Sequence, residues 1–482
     1  MTVTADPGSA ISAGAVVAER LRAALRPLLA AATTRNGPTL VSASLPVEAA
    51  DPIALFAAAR GPGADPVLWS QPSQGTAAVA IGSAWASRTE GTERFALTSR
   101  AWTALAADAI VSADGASRGI GPTLIGGFGF ADAPSRTSLW QGFEAASLVV
   151  PDLLWTLTPA GCWLTASVLA EPGWDADRAV DRIDRLWRGV AGAAANMAEG
   201  PTEASVLRLS EHRQDASGWR DSVARLAGAV GRGRIDKAVL ARQVELLAST
   251  PIDVPGVLRR LRGTAPESTL FAVTRGERTF LGATPERLIR LRGRDFQSVA
   301  MAGSARRATD PASDEMLAAE LLASDKEREE HAVVVTMLRE TLAPLAERLE
   351  MAPSPSVVRL RHLQHLVTPI EGRLRESADV LSLVERLHPT PAVGGTPREL
   401  ALQLIADEEL HERGWYAGPL GWVDRHGDGE FVVALRSGVI EGRAATLFAG
   451  CGIVADSDPD REWDESTTKL LALGSALGRV EP

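Results

Sequence analysis

The stretch Glu430–Lys469 reads EFVVALRSGVIEGRAATLFAGCGIVADSDPDREWDESTTK. Glu430 to Leu435 and Ala444 to Phe448 are short apolar runs of strand length, and they lead into a turn at Gly450 and Gly452. Ser457-Asp458-Pro459 then opens a helix, with a capping side chain followed by Pro at the first helical position. Two strands thus precede one helix, and the irregularity continues upstream. A strand from Lys237 to Glu245 follows a helix at Gln214 to Gly231, and the strands Thr269 to Thr274 and Thr279 to Leu281 follow in succession. A long amphipathic helix is predicted from Ser313 to Glu350, begun by the Ser313/Asp314 cap. Strands and helices that do not alternate regularly favour an α+β fold over a doubly wound sheet.

The N-terminal part is poorer in signals. Turn residues at Asp6-Pro7-Gly8 precede an Ala-rich helical segment, Ala13 to Ala32. Ser147 to Val150 and Cys162 to Ser167 read as strands, and Asp175 to Ala198 as a helix. Gly126-Gly127-Phe128-Gly129-Phe130 is glycine-rich without a phosphate-loop pattern, so it is read as turn and packing. Residues 1–207 carry no chemistry-bearing motif, and 208–482 are read as the catalytic region.

Composition narrows the function. The chain has 482 residues and a net charge of −10, with Lys and Arg scattered rather than blocked. A nucleic-acid surface needs clustered positive charge, so that partner is excluded. Cys162 and Cys451 are the only cysteines, too few for a disulfide scaffold or a Cys-based zinc site. Met1 to Ala13 lacks the order of a secretory signal, and no run approaches the ~18 to 20 apolar residues of a membrane span. A soluble, cytoplasmic monomer is expected.

Two helices carry similar carboxylate arrangements. Glu327 and Glu330 stand three apart, with His331 beside the second; Glu462 and Glu465 also stand three apart, with Lys469 one turn later. Spacings of three and four share a helical face. Either helix alone is more often a solvated, charged surface. Meeting across a cleft, the two faces would form an all-oxygen site suited to a hard cation such as magnesium. His362 and His365 have a metal-like spacing, but the flanking alternation suggests a strand that would face them apart, so they are read as structural.

Five segments resemble the chorismate-utilising enzymes, which include isochorismate, salicylate, anthranilate and aminodeoxychorismate synthases. They are Asp236–Arg242, Leu281–Arg287, Ala302–Arg307, Asp325–His331, and Ala449–Val454 continuing through Glu462-Trp463-Asp464-Glu465 to Lys469. His388-Pro-Thr-Pro391, Trp415–Pro419 and Ala434–Arg436 also look familial, and the match spans about Ser210 to Leu477 in the family's order. The resemblance implies two large antiparallel β-sheets packed together with flanking helices. It implies Mg2+ held by Glu330 and Glu465 with Glu327 and Glu462 assisting, and chorismate as the substrate. Arg436, Tyr416, Lys469 and the amides around Gly450 and Gly452 are expected to bind its carboxylates. Gly303, Ser304 and His388 are expected near the substrate, His388 at the enolpyruvyl group.

Lys237 and Glu286 bear on the reaction type. In the hydrating members of the family a lysine at the position of Lys237 activates water, whereas the ammonia-using anthranilate synthases resemble one another in carrying glutamine there. A free lysine, with a pKa of about 10.4, is almost wholly protonated at pH 7 and becomes a base only when its surroundings favour the neutral form. Glu286 matches the general acid. Aminodeoxychorismate synthases share the lysine, but Ala302-Gly303-Ser304 resembles isochorismate synthases, where other members more often read Ala-Gly-Thr. Neither a tryptophan-binding Leu-Leu-Glu-Ser-like segment nor a glutaminase domain is found, and no glutaminase subunit is expected. The resemblance therefore implies an isomerase, an isochorismate synthase, with salicylate synthase or an aminating synthase subunit as alternatives. Menaquinone and siderophore routes both begin with isochorismate.

Overall fold

Strand Thr269–Arg275 shows how this chain builds layers. Phe271 and Val273 enter one apolar cluster, while Leu270 and Ala272 enter another on the opposite face. Strand Val67–Gln71 beside it divides the same way, with Val67 and Trp69 on one face and Leu68 on the other. A strand buried on both faces has no polar side, which is why these segments read as continuous apolar runs.

A computed structural model describes residues 7–61, 63–116, 118–197, 205–209 and 216–481. Among them are two large sheets, of 14 and 10 strands. The larger runs from Gly478–Glu481 through Ser205–Leu209, Lys237–Ala248, Ala444–Ile453, Ser437–Glu441, Arg278–Thr284 and Thr269–Arg275 to strands of the N-terminal half, ending at Ile110–Val111. The smaller contains Leu363–Leu374, Asp295–Arg306, Arg287–Arg292, Gly429–Val433 and Pro419–Asp424, and continues into Thr123–Phe128 and Ala146–Val150. Pairing is antiparallel except where Ile110–Val111 joins Thr39–Val47 and where Ser205–Leu209 joins Gly478–Glu481. Residues before and after 207 therefore share both sheets. An aromatic cluster joins the layers: Trp140 packs against Phe280 and Phe448, and Phe143 against Trp415.

The predicted helix from Ser313 to Glu350 is corrected by the structure. It is two helices, Pro311–Ala323 and Asp325–Leu342, followed by the strand Ala346–Met351. Asp310, not Ser313 or Asp314, caps the first. Ser324 adopts extended geometry and caps the second, its hydroxyl accepting from Glu327 N at 3.4 Å. Pro344 has no N–H to continue the ladder, so the chain leaves the helix there. The turn expected at Gly450 and Gly452 is also corrected. Strand Ala444–Ile453 runs straight through both, pairing Gly450 with Ala241 and Gly452 with Val239. The N-terminal helix extends over Pro7–Ala32, the next predicted one spans Ala176–Ala195, and the third Ala216–Gly231. Asp6, Ala198, Ser210 and Gln214, named in the sequence reading, lie outside the described residues. The last helix, Pro459–Leu477, starts as read, with Asp458 accepting from the Asp460 and Arg461 amides.

Candidate active site

Lys237 begins the strand Lys237–Ala248, antiparallel to Ala444–Ile453. Its side chain is fully buried, and its ammonium donates to Glu330 Oε1 at 2.8 Å. Gly452 lies beside this pair so closely that a Cβ there would stand 2.4 Å from Glu330 Oε1 and 2.7 Å from Lys237 Cε. The glycine is needed for space, since its backbone does not adopt the left-handed region.

The two carboxylate helices meet. The Lys326 ammonium reaches Glu462 Oε1 at 3.1 Å and lies 3.9 Å from Glu327 Oε1, so one cation is shared between them. Glu465 pairs with Lys469 at 2.6 Å, and Lys469 also donates to Gly450 O at 2.8 Å. Glu327 accepts from Ser304 N at 2.9 Å. Burial, reinforced by the charges of Glu330 and Glu465, pushes the Glu327 carboxyl up to about 7. Burial is the largest influence on Glu465 and works against its charge, but the charge and hydrogen bond of Lys469 together with the Lys326 charge hold that carboxyl below its ordinary range. Carboxylate oxygens from two helices, converging on a single cation, are the donor set a hard divalent ion takes. Cys451 Sγ lies within 4.8 Å of ligand atoms of Glu462 and Glu465, but burial pushes its thiol well up and the sulfur donates to Glu462 O.

A cleft with about 600 Å³ of empty space, counting its mouth, adjoins this cluster. Glu286, Gly303, Ser304, Glu330, Tyr416, Arg436, Gly450, Gly452 and Lys469 all line it. Glu286 follows the strand Arg278–Thr284 and is held by its backbone, its carbonyl accepting from Val433 N at 3.0 Å. Burial pushes its carboxyl up to about 7, against the pull of Arg436, Lys237 and Lys469. Arg436 is half-buried, has a left-handed backbone with φ of 53°, and belongs with Ala417, φ 62°, to the few non-glycine residues so placed. Both line the cleft. Such strain persists only where surrounding structure enforces it, here by the hydrogen bonds Ala417 N to Ala434 O and Ala434 N to Gly418 O.

His365 is the residue the sequence reading placed in the structural class and the structure places in the cleft. Arg436 Nη2 donates to its Nε2 at 3.0 Å. A guanidinium only donates, so Nε2 is unprotonated and Nδ1 carries the hydrogen, directed at Gly303 O at 3.2 Å and Ser304 Oγ at 3.0 Å. Burial and the Arg436 charge push its pKa down to about 3, which keeps the ring neutral. The β-bulge at Ala302–Ser304, with Gly303 at φ 79°, brings these acceptors within reach. His362 lies outside the strand and away from this cleft, so the two histidines do face apart. Arg413, not anticipated from sequence, also lines the cleft and is fixed by Glu409 and by Val393 O and Val239 O.

His388 is not among the residues that line the cleft; it is buried beside Phe95 and Phe130 and its Nε2 meets Phe130 O at 3.2 Å. His331 turns away from Glu330 and meets Thr368 Oγ1 at 2.8 Å. Glu327, Glu462, Glu465 and Lys237 do not themselves line the cleft; Glu327, Glu465 and Lys237 connect to it through Ser304, Lys469 and Glu330, while Glu462 is held by Lys326.

Comparison with known proteins places this geometry. A family model described as chorismate binding enzyme matches residues 27–478. The chain is 34% identical over 449 residues to isochorismate synthase MenF of Bacillus subtilis, covering 92% of this chain and 94% of that protein. It is 37% identical over 462 residues to the salicylate biosynthesis isochorismate synthase of Pseudomonas aeruginosa, covering 95% and 94%. Among solved structures it is similar to the menaquinone-specific isochorismate synthase MenF from Escherichia coli, with a TM-score of 0.75, 26% identity, and 94% and 99% of the two chains covered. Anthranilate synthase component I from Streptococcus pneumoniae shares the fold, with a TM-score of 0.59 and 22% identity over 73% of this chain and 80% of that one.

Proposed function

This chain belongs to the chorismate-binding enzymes, and we propose that it is an isochorismate synthase, moving the ring hydroxyl of chorismate from C4 to C2 with water. The observation that carries the reading is Glu286, a carboxyl buried in the wall of a cation-lined cleft and pushed up to about 7. A general acid must hold its proton near the working pH, and the buried environment supplies that condition. Further support comes from Lys237, a buried amine whose only ion-pair partner among the described residues is Glu330.

In this reading water attacks C2 with Lys237 as the base that takes its proton. The C4–O bond breaks as Glu286 protonates the departing oxygen, which leaves as water. One water is consumed and one released, so the net change is isomerisation. Glu330, 2.8 Å from Lys237, stabilises the ammonium the base becomes. Arg436, oriented by neutral His365, would receive the pyruvyl carboxylate, with Lys469 and the Gly450 and Gly452 backbone completing an anionic pocket. Mg2+ would be held by Glu330 and Glu465, with Glu327 and Glu462 beside them, and when bound supplies positive charge for the ring carboxylate.

No glutaminase partner is needed for a reaction with water. No described helix is long and apolar enough to cross a membrane, in keeping with the cytoplasmic location we propose. The test is to incubate the purified chain with chorismate and Mg2+, without an amine source, and separate the products. Isochorismate alone is expected. Salicylate plus pyruvate would overturn the named activity, and turnover only on adding ammonia would move the chain to the aminating members.

A further inference from the structure

A second cleft, with about 890 Å³ of empty space counting its mouth, adjoins the first and shares two lining residues with it, Pro285 and Arg436. Four arginines and one glutamate line it. Two of the arginines are already engaged: Arg307 donates to Asp314 at 2.7 Å, and Arg359 pairs with Asp314 and Glu315. The other two are not. Arg361 is exposed and makes no ion pair among the described residues. Arg436 is half-buried, with neutral His365 as its partner and no carboxylate within salt-bridge distance among the described residues. The remaining wall is largely apolar and formed by small or rigid residues, including Pro266, Ala283, Leu363 and Ala472. A cavity of this size with an apolar wall and a few placed charges suits a small organic ligand, and the unpaired Arg361, with Arg436 in the wall the two clefts share, favours an anionic one.

We infer that this cleft is a second site for a small ring carboxylate, gripped between Arg361 and Arg436, and that its occupancy competes with the catalytic cleft for Arg436. The ring-carboxylate class rests on the substrate proposed above; the need for an anion rests on the arginines alone. An occupant hydrogen-bonded to Arg436 from this side removes donors the substrate carboxylate would use, so ligands of this class inhibit turnover.

The test uses benzoate as the probe, by isothermal titration of the full chain with Mg2+ present, for the parent, Arg361→Glu and Ala472→Trp. Arg361→Glu removes one charge contact and adds a repulsion, so benzoate affinity is expected to fall about three- to tenfold, and Ala472→Trp to reduce it by filling the cleft. The gap between parent and Arg361→Glu should narrow between about 0.05 and 0.5 M salt as the charges are screened. Without benzoate, kcat should stay within about twofold of the parent in Arg361→Glu, since exposed substitutions away from the chemistry are generally mild. Equal benzoate affinity in parent and Arg361→Glu overturns the proposal, as does a loss in Arg361→Glu that salt leaves unchanged. Because binding heat is read without turnover, a chain that binds benzoate through Arg361 yet forms no isochorismate fails the activity and not the second site.

Discussion

Replacing Gly452 by alanine tests the centre of the proposed machinery with one methyl group. The backbone tolerates the change, because Gly452 is not in the left-handed region. Space does not: the added Cβ would lie 2.4 Å from Glu330 Oε1, 2.7 Å from Lys237 Cε and 3.0 Å from Glu330 Cδ. Carbon–oxygen contacts begin at about 3.3 Å, so Glu330 or Lys237 must withdraw by roughly 0.9 Å. A misplacement of about 1 Å in reacting groups can cost about 10²-fold in rate. Overpacking of this kind also costs about 1–3 kcal/mol of stability. Gly450→Ala is the comparison, since its Cβ meets Leu240 O at 3.1 Å and Tyr416 Oη at 3.4 Å, contacts that small shifts relieve. The assay is chromatographic turnover of chorismate for parent, Gly450→Ala and Gly452→Ala, with thermal melts on the same samples. Gly452→Ala should retain a cooperative melt and lose about 10²-fold in kcat, with Gly450→Ala much less affected. A Gly452→Ala enzyme within about threefold of the parent would refute the claim that Lys237 and Glu330 are held in a geometry the reaction needs.

Other outcomes follow from the same geometry. Glu286 must be protonated to donate, and its carboxyl sits at about 7; kcat/KM should therefore fall as pH rises through that value, and Glu286→Gln should abolish turnover and with it the limb. A parent profile flat between pH 6 and 8.5 would remove Glu286 as the acid. Lys237→Ala should reduce kcat by about 10²–10⁴-fold while chorismate binding, followed by titration calorimetry, changes little; unchanged turnover would take lysine out of the chemistry. Glu330→Gln and Glu465→Gln should each raise the Mg2+ concentration needed for half-maximal binding, measured calorimetrically, by about tenfold or more, since carboxylates are the ligands a hard cation prefers. Two variants with the parent's Mg2+ affinity would dissolve the two-helix site. Arg436→Lys should raise KM more than it lowers kcat, because an ammonium cannot reproduce the planar fork that meets a carboxylate; an unaltered KM would place the substrate carboxylate elsewhere.

Several of these residues were legible one at a time. Glu327 with Glu330, and Glu462 with Glu465, are visible as same-face pairs because helical spacing is a local rule. The Asp458-Pro459 start was legible for the same reason, as capping acts across three residues. The failures came where a local pattern was carried too far. Amphipathic periodicity ran on past Ser324 and Pro344, although Pro344 was itself a stop signal. The glycines at 450 and 452 suggested a turn, whereas close approach of side chains from other elements requires them within a strand. That Arg436 meets His365, 71 residues away, is shown by nothing near either residue in the chain.

What the sequence by itself determined was the α+β class, the motif order that marks the family, the two carboxylate faces and the choice of Lys237 and Glu286. The fold class and the carboxylate faces depend on residue type and short spacing, and Lys237 and Glu286 on the resemblance their motifs carry, all of which folding leaves unchanged. What only the tertiary structure decided was that the carboxylate faces meet at Lys326, that Lys237 ends on Glu330 across 93 residues, and that Glu286 is buried enough to keep its proton near neutrality. It also decided that His365 stands neutral between Arg436 and the bulge at Gly303. Desolvation and hydrogen-bond partnership are properties of a packed environment, and that environment comes into being only when strands and helices distant in sequence are brought together.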